Sequence, residues 1–164
     1  MLRKTDTIDS FNQFLETIKE KAGKKEKFTL VPFDTYVGHV TTGLLLDANP
    51  LTNATYTPLG NTALYDAIVK AIALGGTSKK VVLGIITDGE ENASREATKE
   101  SVQSLIADRE LLGWGVSYLG VSMDKWQAAK IASTIGTQTF NSFQTTFGAT
   151  QALADTVKAY RGAD

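Results

Sequence analysis

The chain has 164 residues, 42% of them apolar and 21% charged, which suits one globular domain with a real core. Its formal net charge of −1 gives no basic field to gather nucleic acid or an anionic membrane surface. It has no cysteine, which excludes a disulfide framework, a thiolate nucleophile and a zinc–cysteine site and fits a reducing compartment.

No apolar run approaches the roughly 20 residues that span a bilayer. No apolar stretch follows Met1–Asp6 to make a signal peptide, so the expected location is cytoplasmic. Lys21, Lys24, Lys25 and Lys27 are expected in a solvated turn after a helix, where cations suit the C-terminal dipole.

Ile8, Phe11, Phe14, Leu15 and Ile18 recur at helical spacing, predicting a first helix from Thr7 to Ala22, with Gly23 as its stop. Phe28 to Phe33 reads as a strand closed by Asp34. Tyr36 to Leu46 reads as a second strand, antiparallel to it because the turn at Asp34-Thr35 is too short for a crossover. Residues Asp47 to Asn61 form a polar loop with two prolines. A helix then starts near Thr62, with Leu64, Ala67, Ile68, Ala71 and Ile72 on one face and Gly75-Gly76 as its stop.

The continuous apolar run Val81 to Ile86 is the pattern of a parallel strand buried on both faces. A helix over Arg95–Leu112, a strand over Trp114–Val121, a helix over Lys125–Ile135 ended by Gly136, a short strand over Thr137–Asn141 and a closing helix over Thr146–Tyr160 complete the order. The alternation predicts an α/β, doubly wound, mostly parallel sheet with one antiparallel edge strand and helices on both faces. Asp34, Thr62, Asp88, Ser122 and Asn141 fall at the turns on its carboxyl edge, where ligands of open α/β sheets bind.

At that edge Thr87-Asp88-Gly89 follows the buried strand, so the Asp88 carboxylate is expected in the crevice and Gly89 permits the sharp turn. Thr62 opens a helix, where its hydroxyl can cap the helix or face a cation. An oxygen-only pair of this kind suits Mg²⁺ or Ca²⁺ rather than zinc. Read structurally, Asp88 is a turn aspartate, Thr62 an N-cap, and Glu90 and Glu91 solvated acids. His39 sits in the edge-strand pattern and has no partner for a catalytic dyad, so it reads as structural. Trp114 and Trp126 read as packing residues. Tyr56 and Tyr65 flank the Thr62 loop, as packing or as rim contacts. Gly75 to Lys80 fails the spacing of a phosphate loop and precedes a strand instead of following one.

Three segments together resemble the von Willebrand factor A domain: Phe28 to Asp34, Gly60-Asn61-Thr62-Ala63-Leu64-Tyr65-Asp66-Ala67-Ile68, and Ile85 to Asn92. The nearest likeness is to its small bacterial and phage-encoded members with a Thr-Asp-Gly-Glu-Glu-Asn signature, whose first helix Phe11-Asn12-Gln13-Phe14-Leu15 also resembles. The likeness runs in order over nearly the whole chain. It implies a protein-binding, non-enzymatic module with a metal-ion-dependent adhesion site. There, three loops hold one divalent cation, Mg²⁺, Mn²⁺ or Ca²⁺, and an acidic side chain of a protein partner completes the shell. Thr62 matches the second-loop threonine and Asp88 the third-loop aspartate. Around that pair, Asp34, Asn61, Tyr65, Glu90, Glu91 and Ser122 are the expected partner contacts.

The family's first loop, Asp-x-Ser-x-Ser, has no counterpart. Asp6-Thr7-Ile8-Asp9-Ser10 lies inside a helix pattern, and the strand that would carry the loop is missing too. In the family that strand lies between those expected here at Phe28–Phe33 and Val81–Ile86. With strands about 4.8 Å apart, its loss leaves a gap of roughly 10 Å. Each buried backbone group left unpaired costs about 1–3 kcal/mol. Four arrangements answer this: a start further upstream, direct pairing of the flanking strands, a stub strand from Leu2 to Thr5, or a strand donated by a partner or second copy. For the chain as given, closure or donation is expected.

Two other functions compete. One is a structural subunit of a phage particle or multiprotein complex, completed by a partner strand or by homo-oligomerisation. The other is a metal-dependent phosphate-ester enzyme built on Asp88, Glu90 and Glu91; against it, no nucleophile–base pair is visible.

Overall fold

The computed structural model describes residues 4–54 and 60–162; Tyr56 lies outside them. The chain opens with helix α1 (Lys4–Lys19), which buries Phe11, Phe14, Leu15 and Ile18. An antiparallel hairpin follows, β1 (Lys27–Leu30) with β2 (Thr41–Leu44). Then come α2 (Leu64–Gly75), β3 (Val82–Thr87), α3 (Lys99–Leu112), β4 (Gly115–Val121), α4 (Lys125–Ile135), β5 (Phe140–Phe143) and α5 (Thr146–Gly162). This is the expected order of elements in an α/β fold.

The local reasons are those the sequence carries. Gly76 ends α2 at φ 64°, and Gly136 ends α4 in the left-handed conformation a side chain resists. Asp124 caps α4 by accepting the Gln127 N–H at 2.8 Å. The second strand is shorter than the expected Tyr36–Leu46. Phe33 bridges Val37, and Asp34 Oδ1 accepts the Tyr36 N–H at 3.2 Å, so this stretch closes a tight turn before pairing resumes. The third helix starts at Lys99 rather than Arg95. Thr98 is extended and forms a capping box with Ser101, while the N–H groups of Arg95, Glu96 and Ala97 bind the Asp66 carboxylate.

β3, β4 and β5 form a parallel sheet in that order. Strand periodicity sends alternate residues to two apolar clusters. Ile85, Val116 and Tyr118 join Leu64, Ile68 and Ile72 of α2, Val102 and Ile106 of α3, and Ile131 and Ile135 of α4. Val82, Ile86, Leu119 and Val121 face the other way, toward α1, Ala149 and Leu153. Gly84 lets α5 come close: a Cβ there would lie 2.5 Å from Leu153 Cδ2.

The hairpin and the three-stranded sheet are separate, and among the described residues no backbone hydrogen bond joins β1 to β3. Two expected remedies for the missing strand are thereby corrected. The flanking strands do not pair. Lys4 and Thr5, expected in a stub strand with Leu2, form the first turn of α1, because the helical repeat from Ile8 onward takes them into its own ladder. Side chains hold the hairpin in place of a ladder. Phe11 and Phe28 have ring centroids 6.0 Å apart, and Arg161 of α5 grips Glu26, with Nη2 at 2.8 Å from Oε2 and at 2.6 Å from the Ile18 carbonyl.

Candidate functional site

Three turns meet at the carboxyl edge of β3. The stretch after β3 runs against the start of α2, so that a Cβ on Gly89 would lie 2.7 Å from Thr62 Oγ1. Only glycine lets the backbone beside Asp88 approach that hydroxyl. Asn92 fixes the same contact from both sides: its Oδ1 accepts the Thr62 N–H at 2.8 Å, and its own N–H donates to the Thr62 carbonyl at 3.0 Å. The expected neighbours Thr62 and Asp88 are thus on adjoining backbone.

Glu91 does work that the sequence did not reveal. Helix α2 begins after Ala63, which has no capping side chain, and Thr62 is not its N-cap. The Glu91 carboxylate reaches across instead, accepting the Tyr65 N–H at 2.9 Å, the Ala93 N–H at 3.0 Å and the Ser94 N–H at 2.8 Å, with the Ser94 hydroxyl as a further donor. A carboxylate at a helix N-terminus satisfies orphan donors and complements the dipole. Ser94 Oγ in turn accepts the Asp66 N–H at 3.0 Å. Burial by itself raises the Asp66 pKa, but the N–H groups of Arg95, Ala97 and Glu96, with the Arg95 charge, hold it below the ordinary carboxylate value.

The other expected contacts occupy the same rim. The Asp34 carbonyl accepts the Ala63 N–H at 2.5 Å, and the Asn61 N–H reaches Thr35 Oγ1 at 3.3 Å, tying the hairpin turn to α2. The Tyr65 ring is half-buried; burial, then Glu91, Glu100 and Glu90, push its hydroxyl pKa up. Glu90 is exposed. Ser122 stands at the end of β4 with φ 57°, a strained conformation for a residue with a side chain, held by its N–H bond to the Phe143 carbonyl at 2.8 Å.

Three rim features escaped the sequence reading. Trp126, expected to pack, is 76% exposed at the start of α4, whereas Trp114 is buried as expected. Tyr36 is exposed and held by Arg95, which stacks 4.7 Å from its ring centroid and donates to its hydroxyl at 3.0 Å. Tyr118 is fully buried beneath the edge, its hydroxyl 3.9 Å from Met123 Sδ; burial, then Glu90 and Asp88, raise its pKa. Periodicity could have flagged Trp126, the second residue of a helix whose apolar face begins at Ala128.

A hard divalent cation takes about six oxygen ligands. Here the carboxylates of Glu91 and Asp66 are engaged by backbone N–H groups, and no group of three or more His, Cys, Asp or Glu gathers among the described residues. Among the described residues, then, no cluster of acidic or histidine ligands forms around Thr62 and Asp88.

No family model matches the sequence, and no curated protein is significantly similar to it. Solved structures do match. A conserved hypothetical protein, BatB, from Bacteroides thetaiotaomicron superposes with a TM-score of 0.60 at 14% identity, over 97% of this chain and 88% of that one. Proximal thread matrix protein 1 from the mussel byssus superposes with a TM-score of 0.61 at 18% identity, over 94% of this chain and 40% of that one. At such identities the likeness shows a shared α/β fold and nothing finer. No described helix is long and apolar enough to cross a membrane.

Proposed function

We propose that this chain is a protein-binding module of the von Willebrand A type, working in the cytoplasm or within a particle, whose partner docks on the loops above β3, β4 and α4. The carrying observation is the braced edge: Gly89 seated on Thr62, with Asn92 and Glu91 fastening the loop to α2. A loop whose polar backbone is already bound loses little entropy when it receives a partner. Exposed Trp126 and Tyr36 on the same rim have the chemistry of interface anchors. The hydroxyl–carboxylate pair at this edge, Ser94 with Glu91, is taken up by the backbone N–H groups of Tyr65, Asp66, Ala93 and Ser94, which favours binding over catalysis.

The reading does not require a cation. Titrating the purified chain with Mg²⁺ and Mn²⁺ by calorimetry, alone and with the captured partner, tests whether Thr62 and Asp88 recruit one with ligands from the partner. The binding test is affinity capture from cells, comparing the natural chain with Asp88→Ala, Trp126→Ala and, as a control, Leu111→Ala at an 89% exposed position. One and the same partner should be recovered by the natural chain and the control and lost with the two rim variants. Equal recovery by all four would remove the proposed surface.

A further inference from the structure

We propose that the seam between α1 and α5 holds a binding site for a neutral monosaccharide, separate from the loops that follow β3. A cavity of about 170 Å³ opens along this seam. Ser10, Gln13 and Thr17 line it from α1. Phe147, Thr150, Gln151, Asp155 and Lys158 line it from α5. Spacings of three and four residues put each set on one helix face. Helix seams ordinarily close with apolar side chains, as α1 does with Phe11, Phe14, Leu15 and Ile18. Here Ser10 and Thr150, each only 5% exposed, bring hydroxyls to the seam instead.

The hydrogen-bonding capacity around the cavity is largely unspent. Thr17 donates its hydroxyl proton to the Gln13 carbonyl at 2.9 Å, and Thr150 donates to the Phe147 carbonyl at 3.1 Å, so these two offer lone pairs only. Ser10 differs from both. Its hydroxyl has no hydrogen bond among the described residues, although the residue is buried. A buried hydroxyl without a partner is costly, and this one belongs to the cavity wall, where a ligand would satisfy it. The side-chain amides of Gln13 and Gln151 and the charged ends of Asp155 and Lys158 also have no hydrogen bond or ion pair among the described residues.

The lining specifies the occupant. Pockets for drug-sized ligands run from about 300 Å³ upward and are mostly apolar. This cavity is smaller and mostly polar, which suits a single pyranose ring. Each amide both donates and accepts, as does Ser10; Asp155 and the threonines accept, and Lys158 donates. Such a mixture matches a ligand whose polar groups are hydroxyls. Asp155 and Lys158, three residues apart on one face, balance each other. An anionic ligand would meet Asp155 and a cationic one Lys158, so the occupant is neutral. An amino-acid zwitterion would engage the two charges but leave Ser10 and the amides unmatched. Phe147, 40% exposed, adds a flat apolar surface for the C–H face of a sugar ring.

The experiment is an amide chemical-shift titration by NMR on the whole chain with D-glucose, D-galactose and N-acetyl-D-glucosamine, and separately with glycine and inorganic phosphate. At least one sugar should give saturable shifts at Ser10, Gln13, Thr150 and Gln151, and glycine and phosphate should not. Ser10→Ala and Asp155→Ala should each weaken that sugar by about tenfold, the effect of losing a hydrogen bond to a buried or charged group. Leu111→Ala, at an 89% exposed position on α3, should leave it unchanged. If Ser10→Ala fails to fold, Asp155→Ala, at an exposed position, decides alone. Four results overturn the proposal: no saturable shift with any of the sugars, which leaves the cavity to water; saturable shifts that map to other residues; saturation by glycine or phosphate in place of a sugar; or equal sugar binding by Asp155→Ala and the natural chain.

Discussion

The Glu91 carboxylate accepts the backbone N–H of Tyr65 at 2.9 Å, so the cap of α2 comes from the far side of β3 in sequence. The loop that bears Asp88 and the helix that follows Thr62 are one mechanical unit. Glu91→Ala should destabilise the fold by about 1–2 kcal/mol, the cost of a lost cap, whereas Glu90→Ala should change it by less than about 0.5 kcal/mol. Denaturant melts of the two variants measure the difference.

Gly89→Ala should cost about 1–3 kcal/mol, because its Cβ would meet Thr62 Oγ1. Adding Thr62→Ala removes that oxygen, so the double variant should recover part of the loss. A coupling of about 0.5 kcal/mol or more in the double-mutant cycle is the expected result, and strict additivity would separate the two residues.

The Arg161–Glu26 contact sets an acid dependence. Burial tends to raise the Glu26 pKa, but the Arg161 hydrogen bonds, the Gly23 N–H and the charges of Arg161 and Lys80 bring it below the ordinary carboxylate value. A carboxyl lowered on folding contributes stability fully above its unfolded pKa and loses it as pH falls through the folded value. Arg161→Ala should therefore melt below the natural chain at neutral pH. The gap should narrow as pH falls through and below the ordinary carboxylate range, read as Tm against pH.

Gly84→Ala should destabilise by about 1–3 kcal/mol, since the methyl would collide with Leu153 of α5. Leu153→Ala in the same chain should relieve the clash at the cost of a cavity. Thermal melts of the single and double variants provide the check.

Trp126→Ala should leave the melting transition unchanged within about 0.5 kcal/mol, because the ring is 76% exposed. The same variant should weaken partner binding by about tenfold or more if the ring is an anchor. Stability and capture measured on one preparation separate the two roles.

Much of the fold was legible before any coordinates. The run Val81–Ile86 announced a buried parallel strand, Lys125–Ile135 and its Gly136 stop matched α4, and the short Asp34-Thr35 turn required an antiparallel hairpin. The site was legible in part. Thr62 and Asp88 were expected at one edge, and the Gly89 contact puts their backbones side by side. The engagement of Glu91 and Asp66 was not legible, since an acid after a strand looks the same whether it meets water or the end of a distant helix. The exposure of Trp126 was legible in the spacing, since it lies two residues before Ala128 and so off the face of Ala128, Ile131, Ala132 and Ile135.

The sequence by itself determined the elements, their order and their apolar faces, for these follow from spacing within a few residues, where helix and strand periodicities act. The tertiary structure alone decided which carboxylate caps which helix, that Thr62 rests on Gly89, and that the β sheet divides between β1 and β3. Those outcomes depend on groups some 25 to 60 positions apart whose approach is set by the packing of α1, α2 and α5, and no local pattern encodes it.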